Sequence, residues 1–189
     1  EVENAVSTVR EEGLTAFAML QCTGSYPAKL RDSNLRVMQT YREQIQCIVG
    51  YSDHTPDLIN PIAATAMGAN IYEKHFTLDR DLPGPDHRMS LNPEELTETI
   101  QAIRNTETAL GNLKKQVLEA EKENRIKLRK SVVANVDIKK GETIELEMLA
   151  LKRPGHGIQP LDINKVVGKK TIKDIPYGTV FLFDMIHDN

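Results

Sequence analysis

The sequence predicts an α/β fold in which parallel β/α units are followed by a small β-rich module. Three observations carry that expectation. Short apolar runs alternate with helical stripes over residues 1–112. Each of three apolar runs opens into a polar loop rich in special residues: "TGSYP", "YSDHT" and "HFTLDRDLPGPDH". After residue 130 the helical stripes stop, and one short pattern occurs twice.

The elements follow in order. Val2, Ala5, Val6 and Val9 are spaced as one face of a helix that Gly13 ends, and the opening reads as a chain cut from something longer. "AFAMLQC" (16–22) is a continuous apolar run, as for a strand buried on both faces. "NLRVMQTYREQ" (34–44) places Leu35, Met38 and Tyr41 on one helical face, and "IQCIVG" (45–50) is the next strand. "LINPIAATAMGA" (58–69) is a small-residue helix for packing on a sheet, with Pro61 in its first turn. "NIYEKHF" (70–76) is the third strand. Residues 92–111 carry full helix punctuation: Asn92 as N-cap, Pro93 at N1, Glu94 and Glu95 in the first turn, Gly111 at the end. Residues 113–129 are charged and poor in apolar side chains, and read as a solvated helix or linker before a last domain at 130–189.

That last domain repeats itself. "DIKKGETIELEML" (137–149) matches "DIPYGTVFLFDMI" (174–186), with Asp, Ile, Gly and Met in place and an acidic residue, Glu147 or Asp184, before each Met. A turn whose Gly takes positive φ, used twice, implies a pseudo-symmetric β module.

Composition excludes several classes. A net charge of −3 gives no basic field for nucleic acid. No apolar run approaches the roughly 18 residues of a membrane span, and no signal peptide is visible. Cys22 and Cys47 sit in apolar runs, as for buried free thiols in a reducing cytoplasm.

In parallel β/α folds the C-terminal strand ends gather on one face, where sites are built. Tyr26, Ser52, Asp53, His54, Glu73, His75 and Asp86 all fall there. His54 and His75 each follow a strand, one βα unit apart, and as neutral imidazoles make half of an open divalent metal site; two hydrogen-bonded rim histidines are the alternative. Glu73 shares a strand face with His75, as a general base or electrostatic stabiliser, or as half of a buried salt bridge with a lysine. "GPDH" (84–87) and "KRPGHG" (152–157) read from spacing alone as turns.

"LQCTGSYPA", "GYSDHT", "EKHFTLDRDLPGPDH" and "KRPGHGI" together resemble the C-terminal half of N-acetylneuraminate (sialic acid) synthases and their relatives, from about residue 10 to the end. The resemblance implies the C-terminal part of a (β/α)8 TIM barrel, about three βα units, followed by an antifreeze-like (SAF) domain. It implies condensation of phosphoenolpyruvate with an N-acetylated amino sugar, giving a nine-carbon 2-keto acid and phosphate, with Mn2+ or Mg2+. Legionaminate and spore-coat polysaccharide synthases belong to the same group. His54 and His75 match metal ligands, Ser52 a phosphoenolpyruvate contact, Glu73 an active-site carboxylate, and Tyr26 and Asp86 sugar contacts. Arg153 matches an arginine that reaches the other subunit's site in a domain-swapped homodimer. Gly24 and Asp57 stand where relatives commonly carry Ser or Asn, and Gly. A non-catalytic fragment, binding or assembling through its SAF domain, is the competing expectation.

Overall fold

The computed structural model describes residues 1–187. The chain forms two compact units, Glu1–Leu113 and a second from Lys114 onward.

The first unit is a three-stranded parallel sheet in the order β1-β2-β3, built from β1 (Ala18–Cys22), β2 (Ile48–Asp53) and β3 (Ile71–Lys74). Around it run α1 (Val2–Glu11), α2 (Val37–Thr40, continued by a π-turn over Tyr41–Ile45), α3 (Ile59–Ala66) and α4 (Pro93–Leu110). Side chains alternate across a strand, so the register divides the sheet into two faces. Tyr51 and Tyr72 face a core made with Met38 and Leu35 on the α2 side and Ala64 and Met67 on the α3 side. The other face carries Leu20, Ile48 and Ile71, and among the described residues no helix of this unit covers it: Ile48 is 55% exposed and Ile71 38%.

Most elements lie where the apolar periodicity places them, and the differences have physical causes. β1 is not buried on both faces; of its five residues only Gln21 is buried. β2 begins at Ile48 and runs through Tyr51-Ser52-Asp53, because the preceding helix extends through Ile45 and turns at Gln46, which adopts φ +59°. Apolar content alone did not separate the buried helix end at Ile45 from the strand. Both cysteines are free, yet Cys22 is exposed, since it points from the uncovered face at the strand end. α4 is capped as its sequence dictates. The Asn92 side chain accepts from the Glu95 N–H, and Glu95 accepts from the Asn92 N–H.

The second unit contains α5 (Glu119–Leu128) and an antiparallel pair, β4 (Ser131–Ala134) with β5 (Leu149–Lys152). The repeat, two 13-residue copies offset by 37 positions, is visible in its hydrogen bonds. Ile138 and Ile175 exchange both backbone bonds at 2.8 Å. Gly141 N–H donates to Thr171 O, and its counterpart Gly178 N–H donates to Ala134 O, each at 2.8 Å. Both glycines hold positive φ, +81° and +80°, as the twice-used turn requires. Asp137 accepts from the Tyr177 N–H at 2.7 Å, and Asp174 accepts from the Lys140 N–H at 2.8 Å. Each copy thus caps the turn of the other. The equivalent pairs Ile138/Ile175 and Ile144/Phe181 meet in one buried core. The "GHG" run has a steric cause: a Cβ on Gly157 would stand 2.6 Å from Phe181 O, against backbone that cannot give way.

Candidate active site at the strand ends

The uncovered face becomes polar at its C-terminal rim. Ser52 and Glu73 are register partners on β2 and β3, and the Ser52 hydroxyl donates to Glu73 Oε1 at 2.7 Å. One step further along the strands, the rings of His54 and His75 lie 5.3 Å apart between centres. Tyr26 packs on both, 4.1 Å from the His54 ring and edge-on to His75 at 5.6 Å. Asp86 approaches the same cluster, its Oδ2 3.8 Å from His75 Nδ1, beyond hydrogen-bond length. Six of the residues singled out from the sequence therefore lie at one rim, although some 60 positions separate them.

Asp53 does not join them. It follows Ser52 on the strand, so it points to the opposite face and is fully buried beneath the helices. The lysine salt bridge weighed for Glu73 belongs instead to Asp53, whose Oδ2 lies 3.4 Å from Lys74 Nζ. Glu73 itself is exposed. Arg153 belongs to the second unit, where its Nε donates to Leu128 O at 3.0 Å.

The His54 ring is fixed in one tautomer. Its Nδ1 lies 2.8 Å from Thr23 O, and a carbonyl can only accept, so Nδ1 carries a proton, and the lone pair of the neutral ring is the one on Nε2. Backbone carbonyls orient metal-binding imidazoles in the same way. With metal–nitrogen bonds of about 2 Å, an ion lies roughly 3 Å from each ring centre, so rings 5.3 Å apart can share one. The donor set thus fits an open divalent site completed by substrate or water. Among the described residues no group of three or more His, Cys, Asp or Glu side chains is arranged to hold a metal ion, so the two imidazoles would need ligands from outside that set. Asp57 Oδ1 accepts from the Ile59 N–H at 2.9 Å, so its carboxylate is turned to the start of α3.

What the sequence reading missed lies behind the rim. Thr55 N–H and Oγ1, and Asn60 Nδ2, all converge on Asp53 Oδ1, while the Tyr72 hydroxyl donates to Oδ2 at 2.6 Å. Burial, and then the bond to Asp53, push the Tyr72 phenol far above its usual range, so it remains a donor. The period-two rule applied to "YSDH" and "EKH" would have put Asp53 and Lys74 together on the helix side.

The fold and rim define a parallel α/β unit with a cluster of polar side chains at its strand ends, followed in the chain by a small β module. The chain belongs to the NeuB family, whose model matches residues 1–115, and carries a SAF domain at residues 129–187. It is 42% identical to the N,N'-diacetyllegionaminic acid synthase of Legionella pneumophila over 190 residues, 98% of this chain and 53% of that protein. It is 43% identical to the N-acetylneuraminate-9-phosphate synthase of Mus musculus over 161 residues, 84% of this chain and 45% of that one. The crystal structure of spore coat polysaccharide biosynthesis protein SpsE from Bacillus subtilis superposes with a TM-score of 0.55 at 32% identity, covering all of this chain and 58% of that one. The chain spans about half the length of the curated relatives it matches. Among the described residues no helix is long and apolar enough to cross a membrane.

Proposed function

We propose that this chain supplies the last βα units and the SAF domain of a sialic-acid-synthase-type enzyme, which joins phosphoenolpyruvate to an N-acetylated amino sugar. The observation that carries the reading is the rim itself: Tyr26, Ser52, His54, Glu73, His75 and Asp86 meet at the C-terminal ends of adjacent parallel strands. The sheet supports the barrel part. A doubly wound sheet is covered by helices on both faces. Here the strand order is sequential, the helices lie on one face, and the bare face fits the interior of a (β/α)8 wall.

In the reaction the enol carbon of phosphoenolpyruvate bonds to the sugar aldehyde carbon. Water adds to the cationic carbon left behind, and phosphate departs by C–O cleavage. His54 and His75 would hold a divalent ion, Mn2+ or Mg2+. When bound, that ion supplies Lewis-acid polarisation of the aldehyde. The protein's groups do the rest. Glu73 acts as general base or electrostatic stabiliser, with one carboxylate oxygen fixed by Ser52 and the other open to accept a proton from the attacking water. Ser52 contacts phosphoenolpyruvate by exchanging Glu73 for a substrate oxygen as the acceptor of its hydroxyl. Tyr26 and Asp86 hold the sugar, the carboxylate accepting from its hydroxyls. Arg153, a cation with a fixed fork of donors, reaches the sugar in the partner subunit of a domain-swapped homodimer. Free thiols suit a cytoplasmic location. We take the domain limits as 1–112, a connection over 113–129, and 130–189.

The test is direct. The complete polypeptide is incubated with Mn2+, phosphoenolpyruvate and either N-acetylmannosamine or a diacetamido analogue, and phosphate and 2-keto acid are measured. Stoichiometric release of both is expected. Failure with every such sugar, in a folded dimer, leaves the second reading, a non-catalytic fragment assembling through its SAF domain; three strands and half a relative's length favour that one for the chain alone.

A further inference from the structure

We propose that Asp53 and Lys74 are positioning residues of the site, a buried ion pair that sets the spacing of the four rim groups flanking it. The proposal rests on the reading of His54 and His75 as metal ligands. Asp53 stands between Ser52 and His54 on β2, and Lys74 between Glu73 and His75 on β3. Asp53 and Lys74 are themselves register partners. The front of the sheet therefore shows Ser52 beside Glu73 and His54 beside His75, and the ion pair lies behind, midway between these two couples. Its separation is 3.4 Å, with side chains 0% and 4% exposed.

The pair also grips the backbone beyond His54. Asp53 Oδ1 accepts from the Thr55 N–H at 2.8 Å and from its hydroxyl at 2.7 Å. Lys74 Nζ donates to Thr55 O. His54 O in turn accepts from the Ala28 N–H at 2.8 Å. Strand pairing holds His54 on one side, Thr55 on the other, and Thr23 O orients its ring. These contacts leave the imidazole little freedom. Thr55 is held on its donor and acceptor sides by the two members of one ion pair, so any change in the β2–β3 spacing changes the separation of His54 and His75.

Stability alone is a poor account of such a pair. Desolvating two charges costs several kcal/mol each, and apolar replacement of a buried pair is often neutral or stabilising. Asn60 extends the device: its Nδ2, with two hydrogens to give, lies 2.8 Å from Ser33 Oγ, 3.1 Å from Tyr51 Oη and 3.1 Å from Thr55 Oγ1. The network thereby ties the rim to the start of α3, the helix that carries Asn60.

The experiment uses Co2+ as probe in the complete polypeptide, because its visible spectrum reports ligand geometry. Wild type, His54→Ala, Asp53→Asn/Lys74→Met and Thr55→Val are compared for melting temperature, Co2+ affinity and spectrum. The double variant removes both charges while keeping side-chain size. It is expected to melt within a few degrees of wild type, yet to bind Co2+ at least tenfold more weakly and with an altered spectrum. Should that variant fail to fold, Thr55→Val, which removes only the hydroxyl link, is expected to weaken Co2+ several-fold in a folded protein. Wild-type affinity and spectrum in whichever of these variants folds would overturn the positioning role alone. His54→Ala binding Co2+ as wild type does would overturn the metal reading and this proposal with it.

Discussion

The Ser52 hydroxyl donates a hydrogen bond to Glu73 Oε1 at 2.7 Å, across a register pair of neighbouring parallel strands. The bond joins a buried residue to an exposed one, so the carboxylate is oriented yet open to a substrate. Glu73→Gln keeps the shape and the bond acceptor and removes the base. General acid–base groups contribute about 10²–10⁴-fold, so kcat should fall by that order, with melting temperature and Mn2+ affinity unchanged. Steady-state kinetics beside calorimetry checks this; retained turnover would remove Glu73 from the chemistry.

For His75→Ala, we expect Mn2+ affinity to fall by two orders of magnitude or more and metal-dependent turnover to vanish. Isothermal titration reads the first, and a normal isotherm would refute the assignment. On the proposed reading two imidazoles would bind as a chelate, so loss of either would leave one weak ligand.

Arg153→Ala should raise the sugar's KM roughly ten- to a hundredfold, since a hydrogen bond to a charged group contributes about 1.5–3 kcal/mol. Metal binding should not change. Mixed with Glu73→Gln, the variant should regain activity if subunits share sites, because each heterodimer then holds one intact set. No recovery after confirmed subunit exchange would place the arginine in its own chain's site or in none.

The 189-residue chain by itself should show no synthase activity and should aggregate or pair with a barrel-completing partner. Three strands leave two open edges and one bare apolar face bearing Ile48 and Ile71. Light scattering and a turnover assay test both halves of the claim; a monodisperse monomer that consumes phosphoenolpyruvate would refute it.

Asp174 should contribute a small part of the SAF module's acid sensitivity. The Lys140 N–H, and then the Lys139 side chain, hold its carboxyl below the usual 3.8. The unfolded chain takes up that proton first, so the contribution is complete above about pH 5 and is lost as pH falls through the folded value. Asp174→Asn should slightly reduce the dependence of melting temperature on pH between about 5 and 2.

Much of this was legible in the chain. The β/α alternation, the capping of α4 and the repeat all rest on local chemistry, which a sequence displays directly. Six rim residues could be gathered because each lies at, or in the loop after, the C-terminal end of a strand. The start of β2 was misplaced because Ile45 is equally apolar as a buried helix end and as a strand residue. Asp53 was assigned to the rim because its neighbours belong there, whereas strand pleating sends it to the other side. The Asp53–Lys74 pair depends on a register between β2 and β3 that no single strand records. Arg153 stood out only through resemblance, since a basic residue before Pro-Gly is an ordinary surface turn.

The reciprocal bonds of the SAF module bear on how it folds. Gly141 with Thr171, Gly178 with Ala134 and Ile138 with Ile175 lie 30 to 44 positions apart in a module of about 60 residues. Neither copy can complete its turn without the other. Such high contact order should make folding slow for the module's size, on the order of milliseconds to seconds, and all-or-none. A peptide bearing one copy alone should be unstructured, and two such peptides mixed at high concentration should gain structure only together.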